Sequence, residues 1–130
     1  TAELLRGILT EARRPPLERL RALVHAFLRS ECEEAAIRVA LADAAPLYRD
    51  APEAQEARAS GRRTIEAFMR EALPSGSDAT RAVAGELVMT TLSAVGKHFS
   101  GRSRTPAEIA AYADALADML CAYLKDAGRP

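Results

Sequence analysis

The sequence predicts an all-α fold with about six helices, and three features support this prediction. Apolar residues recur every three to four positions along most of the 130 residues, which is the period of an α-helix. Prolines and Gly/Ser-rich stretches divide this pattern into segments of helical length. No alternation of apolar and polar residues runs far enough to indicate a strand.

The first two predicted helices lie on either side of a double proline. Residues 1–12 carry a helical stripe made of Leu4, Leu5, Ile8 and Leu9. Pro15 and Pro16 end this helix and begin the next one, which extends to about Ser30. Its apolar side consists of Leu17, Leu20, Val24, Phe27 and Leu28, and its solvent side of Glu18, Arg19, Arg21 and Arg29.

The middle of the chain predicts two further helical segments. Residues 31–45 continue as helix after a bend near Ser30, and Pro46 ends this segment. Asp50 is a predicted N-cap for the next helix, residues 52–73. Gly61 lies inside this helix and costs about 1 kcal/mol relative to alanine, so it marks either a kink or a close helix contact.

The last two predicted helices, residues 78–98 and 105–124, form an antiparallel hairpin with unusually wide apolar faces. The second begins with Thr105, Pro106 and Glu108, which together make a capping box with proline at the first helical position. Its apolar arc spans roughly 160°, whereas a surface helix needs only about 100° to cover its own core. The hairpin therefore has apolar surface for a second chain. The alternative is that both helices are buried in a single monomer core.

Composition argues against several classes of protein. Eighteen basic and 18 acidic side chains give a formal net charge of zero, whereas nucleic-acid-binding domains usually carry a basic surplus. No apolar run approaches the roughly 20 residues that cross a membrane, and no signal peptide is visible. These observations predict a cytoplasmic protein. Because the chain begins without Met, inside helix-like sequence, we also expect a further segment upstream.

Motifs of catalysis and cofactor binding do not occur in the sequence, so we predict no enzyme activity and no cofactor. There is no Glu-x-x-His, His-Glu-x-x-His, Cys-x-x-Cys, Gly-rich phosphate loop or Gly-x-Ser-x-Gly. His25 and Cys32 are seven residues apart and fall near one another on a continuous helix, but a metal site needs more ligands. We therefore expect His25 to be a structural histidine, and we expect no metal.

A small set of apolar and aromatic residues in the middle helices is the candidate ligand-binding set. Adaptable Met side chains are suited to an apolar pocket, and Tyr48 and His25 offer polar anchors. The candidate ligand-binding residues are Phe27, Tyr48, Phe68, Met69 and Met89. The alternative is that these side chains are plain core, since core and pocket linings have the same composition.

Two stretches of the chain are the most informative: LLRGILTEARRPPLERLRALVHAFL near the start and ELVMTTLSAVGKHFSGRSRTPAEIAAYADALADMLCAYL near the end. They resemble the C-terminal regulatory domain of the tetracycline-repressor (TetR/AcrR-like) family of bacterial transcriptional regulators. The resemblance extends over essentially the whole chain, as a pattern of helices and breaks. It implies an effector-binding and dimerisation domain over residues 1–130, in which residues 1–12 correspond to the helix that leads from a DNA-binding unit.

This resemblance also implies partners. The family forms homodimers through a four-helix bundle made by the last two helices of each chain. The residues assigned to this interface are Val83, Leu87, Val88, Thr91, Tyr112, Leu116, Met119 and Tyr123. The resemblance further implies an unknown small hydrophobic effector, bound among the middle helices, and DNA contact only through an N-terminal helix-turn-helix that this sequence lacks. The alternative is a helical dimerisation or protein-interaction module that binds no small molecule.

Overall fold

A computed structural model of the chain describes residues 2–40 and 52–129. Within these ranges the chain is entirely helical, with no strand, and the five helices are α1 (Ala2–Leu9), α2 (Pro16–Ala40), α3 (Pro52–Ala72), α4 (Asp78–Phe99) and α5 (Pro106–Ala127). The predicted all-α class is confirmed. None of these described helices combines the length and the apolarity needed to cross a membrane.

The difference between six expected helical segments and five observed helices lies in α2. This helix passes through Ser30 and continues to Ala40. Neither proline nor glycine occurs between Leu17 and Ala40, so nothing interrupts the ladder of backbone hydrogen bonds. The bend predicted near Ser30 therefore does not divide the helix. Residues 41–45, the stop at Pro46 and the cap at Asp50 lie outside the described residues.

The starts of α4 and α5 are fixed by side chains that bind free backbone N–H groups. Ser77 Oγ accepts a hydrogen bond of 3.1 Å from the backbone N–H of Thr80. At the start of α5, Thr105 Oγ1 accepts from the Glu108 N–H at 3.1 Å, and a Glu108 carboxylate oxygen accepts from the Thr105 N–H at 2.9 Å. The predicted capping box is thus present, with Pro106 as the first residue of the helix.

The second helix is the centre of the fold, because α2 contacts each of the other four helices. Its largest contact is with α5, which runs antiparallel to it, since Leu17, Arg21 and His25 meet Cys121, Asp118 and Asp114 in reverse order. Two polar contacts follow the outer seam between these helices: Arg21 forms an ion pair with Asp118, and His25 Nε2 lies within hydrogen-bond distance, 2.8 Å, of an Asp114 oxygen. Apolar side chains of α2, such as Leu20, fill the space beneath this seam. His25 is therefore a half-exposed partner of α5, consistent with the structural role expected for it.

Arg19 connects α1 to the rest of the protein. The prediction that the Arg19 side chain faces solvent is wrong. Only 2% of the residue is exposed. Its guanidinium donates to the backbone oxygens of Leu9 at 2.7 Å and Arg14 at 2.9 Å, and to both carboxylate oxygens of Glu71 on α3 at 3.1 Å. The cation also lies over the ring of Phe68, 5.7 Å from its centroid. A buried charge is tolerated here because hydrogen-bond acceptors surround it.

Candidate functional site

The candidate site is a cavity of about 710 Å³ lined by residues of α1, α2, α3 and α4. Each of the four helices contributes apolar side chains to its lining: Leu5, Leu9, Leu23, Phe27, Ile65, Met89 and Leu92. A cavity of this size and apolar lining is typical of a site for a small organic molecule. Helix α5 contributes no residue to this lining.

Polar groups are distributed unevenly around this cavity. Hydroxyl groups come from Ser60, Thr64 and Ser93, and charged groups from Glu3, Arg6, Glu31, Glu56 and Arg63. Four of the five charged residues are exposed, whereas Glu31 is half-buried. Arg6 Nη1 donates to Ser60 Oγ at 3.2 Å, which ties α1 to α3 at the cavity wall.

The Glu31 carboxyl lies in an environment that disfavours its charge. Burial raises the pKa of Glu31 above its ordinary value of 4.5, and the neighbouring Glu34 raises it further. Arg38 acts in the opposite direction, with its Nη2 atom 4.0 Å from Glu31 Oε2. The balance leaves a carboxylate at the cavity wall that would gain from an additional positive charge.

Gly96 on α4 sets the position of two cavity side chains on α2. A Cβ atom at this position would lie 2.7 Å from Phe27 Cε1 and 3.1 Å from Glu31 Cγ, distances far shorter than normal van der Waals contact. Glycine therefore permits α2 and α4 to approach at this level, with the ring of Phe27 and the stem of Glu31 packed against the α4 backbone. Neither Gly96 nor Glu31 was predicted from the sequence, because the role of each residue depends on its contact with a neighbouring helix.

The five predicted ligand-binding residues do not all come together. Phe27 and Met89 line the cavity. Met69 is buried and contributes to a separate groove between α3 and α4, to which Met89 also contributes. Phe68 is buried in the core beneath Arg19. Tyr48 lies outside the described residues.

The residues predicted for a dimer interface also separate into groups. Val83, Leu87, Tyr112 and Met119 are exposed large apolar side chains, and Val83 retains 60% of its surface. Thr91 and Tyr123 are half-buried. Val88 and Leu116 instead belong to the core of their own chain, where both are buried. Their side chains are thus unavailable to a second chain.

Exposed small residues extend this apolar surface along both helices of the hairpin. Ala79 and Ala94 lie on α4, and Ala111, Ala115 and Ala122 lie on α5. Together with the four exposed large side chains they form what we call the hairpin face: Ala79, Val83, Leu87, Ala94, Ala111, Tyr112, Ala115, Met119 and Ala122. Scattered exposed apolar residues need no explanation, but a set shared by two adjacent helices is typical of an interaction surface.

Tyr112 is held in place on the hairpin face by a stack of side chains. Its ring lies on that of Phe99, with 4.2 Å between centroids and 20° between planes. The guanidinium of Arg104 lies over the same Phe99 ring at 4.1 Å, and its Nε donates to the Phe99 carbonyl oxygen at 2.8 Å. A side chain fixed in this way loses little conformational entropy when a partner covers it.

Among the described residues, no cluster of three or more His, Cys, Asp or Glu side chains has the arrangement needed to hold a metal ion. The described polar groups of the cavity wall are hydroxyl, carboxylate and guanidinium groups that come from four separate helices. Such an arrangement can orient a bound molecule.

Comparison with known proteins identifies the family. The family model described as "Tetracyclin repressor-like, C-terminal domain" matches residues 15–127, from just before α2 to the last residue of α5. A search of curated proteins found no match to the chain. The match covers most of the 130 residues and includes all of α2 to α5. The chain therefore belongs to the family of tetracyclin repressor-like C-terminal domains.

Proposed function

We propose that this chain is the ligand-sensing and dimerisation domain of a TetR-type transcriptional repressor. The observation that carries the sensing role is the apolar cavity of about 710 Å³ between α1 and α4. The ligand is a small, largely apolar molecule, and the domain acts by binding rather than by catalysis. A homodimer is assembled through the hairpin face. DNA is contacted by a separate helix-turn-helix unit rather than by this electrically neutral domain, and such a regulator works in the cytoplasm.

Binding in the cavity affects DNA recognition through the position of α1. This helix contributes Leu5, Arg6 and Leu9 to the cavity wall. The backbone oxygen of Leu9, its last residue, accepts a hydrogen bond from the Arg19 guanidinium. A ligand that favours one position of α1 over another shifts the population between two arrangements of whatever precedes it in the chain. Differential contact with α1 is thus the physical source of the regulation.

A fluorescent apolar probe tests the sensing role. N-Phenylnaphthylamine, which is uncharged at neutral pH and fluoresces in apolar surroundings, should bind the wild-type chain saturably. Thr64→Trp fills the cavity from α3 and should weaken binding about tenfold or more, since it excludes the probe from its contacts. The matched control is Ala67→Trp, which adds the same side chain to an exposed position of the same helix outside the cavity.

The two variants separate the cavity from other apolar surfaces. Ala67→Trp should bind the probe like the wild type. If Thr64→Trp binds it equally well, the probe is held elsewhere, for example on the hairpin face, and the sensing role loses its support. Absence of saturable binding to the wild type would favour a dimerisation module that has no ligand.

A further inference from the structure

One charged group in the described part of the cavity lining is partly buried. Glu3, Arg6, Glu56 and Arg63 are exposed, whereas the side chain of Glu31 is only 21% exposed. Charges in water are screened and contribute little to binding, whereas a partly buried charge interacts more strongly with a partner. Glu31 therefore has the largest influence on the charge that the cavity prefers.

An aromatic ring lies beside this carboxylate. Phe27 and Glu31 are one helical turn apart on α2, so their side chains are neighbours. Both line the cavity, and both pack against the same point of the α4 backbone at Gly96. A carboxylate and an aromatic ring in the lining of one cavity are a combination that suits a cation, because the carboxylate accepts hydrogen bonds and the face of the ring attracts positive charge.

Among the residues that the structure describes, the positive groups near Glu31 leave room for a further cation. Arg38 approaches Glu31 only to 4.0 Å, at the limit of an ion pair, and its own side chain is half exposed. Arg6 donates to Ser60 Oγ, and Arg63 is exposed on α3. Burial of Glu31 raises the pKa of its carboxyl, so a cation bound beside it would relieve an existing cost.

We infer that the cavity takes an amphiphilic cation, a molecule with an apolar body and a protonated amine, and that Glu31 with Phe27 selects the amine. The apolar body occupies the space between Leu9, Leu23 and Ile65, and the ammonium group donates to the Glu31 carboxylate. This inference rests on the ligand-sensing role proposed above and adds the chemical class of the ligand to it.

Three probes with the same body and different head groups test the inference. Phenylhexylamine, phenylhexanol and phenylhexanoate are respectively cationic, neutral and anionic at neutral pH, and their binding is measured by isothermal titration calorimetry. The wild-type chain should bind the amine about tenfold more tightly than the alcohol, which corresponds to one charge-assisted hydrogen bond. Phenylhexanoate should bind most weakly, because its carboxylate is repelled by Glu31.

Two isosteric substitutions on α2 identify the residue responsible. Glu31→Gln removes the charge at the cavity wall and should bring the amine and the alcohol to nearly equal affinity. Glu34→Gln makes the same change one turn away on α2, at a residue outside the cavity lining, and should keep the preference for the amine. Circular dichroism confirms that both variants are folded.

The outcomes distinguish this inference from the proposed function. Equal binding of all three probes by the wild type, or tighter binding of phenylhexanoate, overturns the cationic ligand class and leaves a sensing role intact. A preference for the amine that survives Glu31→Gln overturns the assignment to Glu31. If none of the three probes binds and N-phenylnaphthylamine does not bind either, the ligand-sensing role fails as well.

Discussion

A single buried arginine determines how the first helix is attached. Arg19 binds the last residue of α1, the loop before α2 and a carboxylate on α3. Helical periodicity predicted a solvent-facing side chain, because periodicity records only the spacing of apolar residues. It contains no information on Glu71, which is 52 positions away, or on free backbone carbonyls. Partners of this kind could not be predicted from a single sequence.

The Arg19–Glu71 pair predicts a pH-dependent contribution to stability. The hydrogen bonds from Arg19 hold the pKa of Glu71 below its ordinary value of 4.5. The folded state therefore binds fewer protons than the unfolded state in this range, so stability rises with pH there. The contribution is fully present above about pH 4.5, the ordinary pKa of Glu71, and is lost as the pH falls through the lowered pKa of the folded state. Because 49% of the Glu71 side chain is exposed, we expect a modest effect.

Thermal unfolding of Glu71→Gln over a series of pH values tests this prediction. The wild type should have the higher Tm at neutral pH, and the difference should shrink as the pH is lowered below 4.5. Glu66→Gln removes an exposed carboxylate from the same helix and serves as the control. A difference between wild type and Glu71→Gln that stays constant with pH would contradict the assigned pairing.

At the scale of the helix, the sequence predicted where helices start better than where they end or which helices they contact. The capping box of Thr105 and Glu108 could be recognised because its partners lie three residues apart. The continuity of α2 through Ser30 was harder to predict, since a serine is compatible with both a bend and a straight helix. Local chemistry thus fixed the start of α5 in the prediction, whereas the continuity of α2 depends on the absence of proline and glycine between Leu17 and Ala40.

Glycines in the helices illustrate the same limit. Gly61 was interpreted as a kink or a close contact, but α3 continues through it, and an added Cβ would meet no described atom within 4 Å. At Gly85 an added Cβ would lie 3.3 Å from Ile65 Cγ2, a tight contact between α3 and α4. The most crowded of the three is Gly96, where Phe27 occupies the space of a side chain. Their sequence contexts do not distinguish these positions.

Replacing two of these glycines by alanine should have opposite effects. Gly61→Ala should raise the free energy of unfolding by up to about 1 kcal/mol, because alanine is the better helix former. Gly96→Ala should lower it by roughly 1 kcal/mol, since overpacking costs about 1–3 kcal/mol and exceeds the gain in helix propensity. Urea denaturation measures both values. The packing at Phe27 would be refuted if both variants became more stable by the same amount.

At the scale of the whole molecule, the composition of a helix face predicted burial without predicting what covers it. Phe27 and Phe68 are the same residue type at similar helical spacing, and so are Met89 and Met69. Only Phe27 and Met89 line the cavity, whereas Phe68 and Met69 are buried in the core. Among the residues predicted for the interface on the wide arcs of the hairpin, Val83 and Met119 are exposed, whereas Val88 and Leu116 are buried.

The exposed hairpin face predicts a homodimer that charged substitutions on this face should dissociate. The double substitution Val83→Glu/Met119→Glu should convert a dimer into a folded monomer, because charges without partners would be buried in the interface. Light scattering across a dilution series measures the mass, and circular dichroism checks the fold. Leu116 is unsuitable for this test, since it lies in the monomer core and a charge there would unfold the chain.

An exposed leucine elsewhere provides the control for the dimer. Leu4→Glu introduces the same charge on α1, at a residue as exposed as Val83 and outside the hairpin face. This variant should retain the mass of the wild type. A wild-type chain that is monomeric at every concentration would show that the hairpin face is not covered by a second copy.

The cavity and the hairpin face are formed by partly different sets of helices, so the two surfaces can change separately in related sequences. The cavity lining comes from α1 to α4, and α5 supplies none of it, although α5 carries half of the hairpin face. Substitutions at Leu5, Thr64 or other lining positions of α1 and α3 alter the chemistry offered to a ligand while the outward surface of α5 stays the same. Under the proposed function, related sequences can therefore change the ligand that they bind while keeping the same dimer surface.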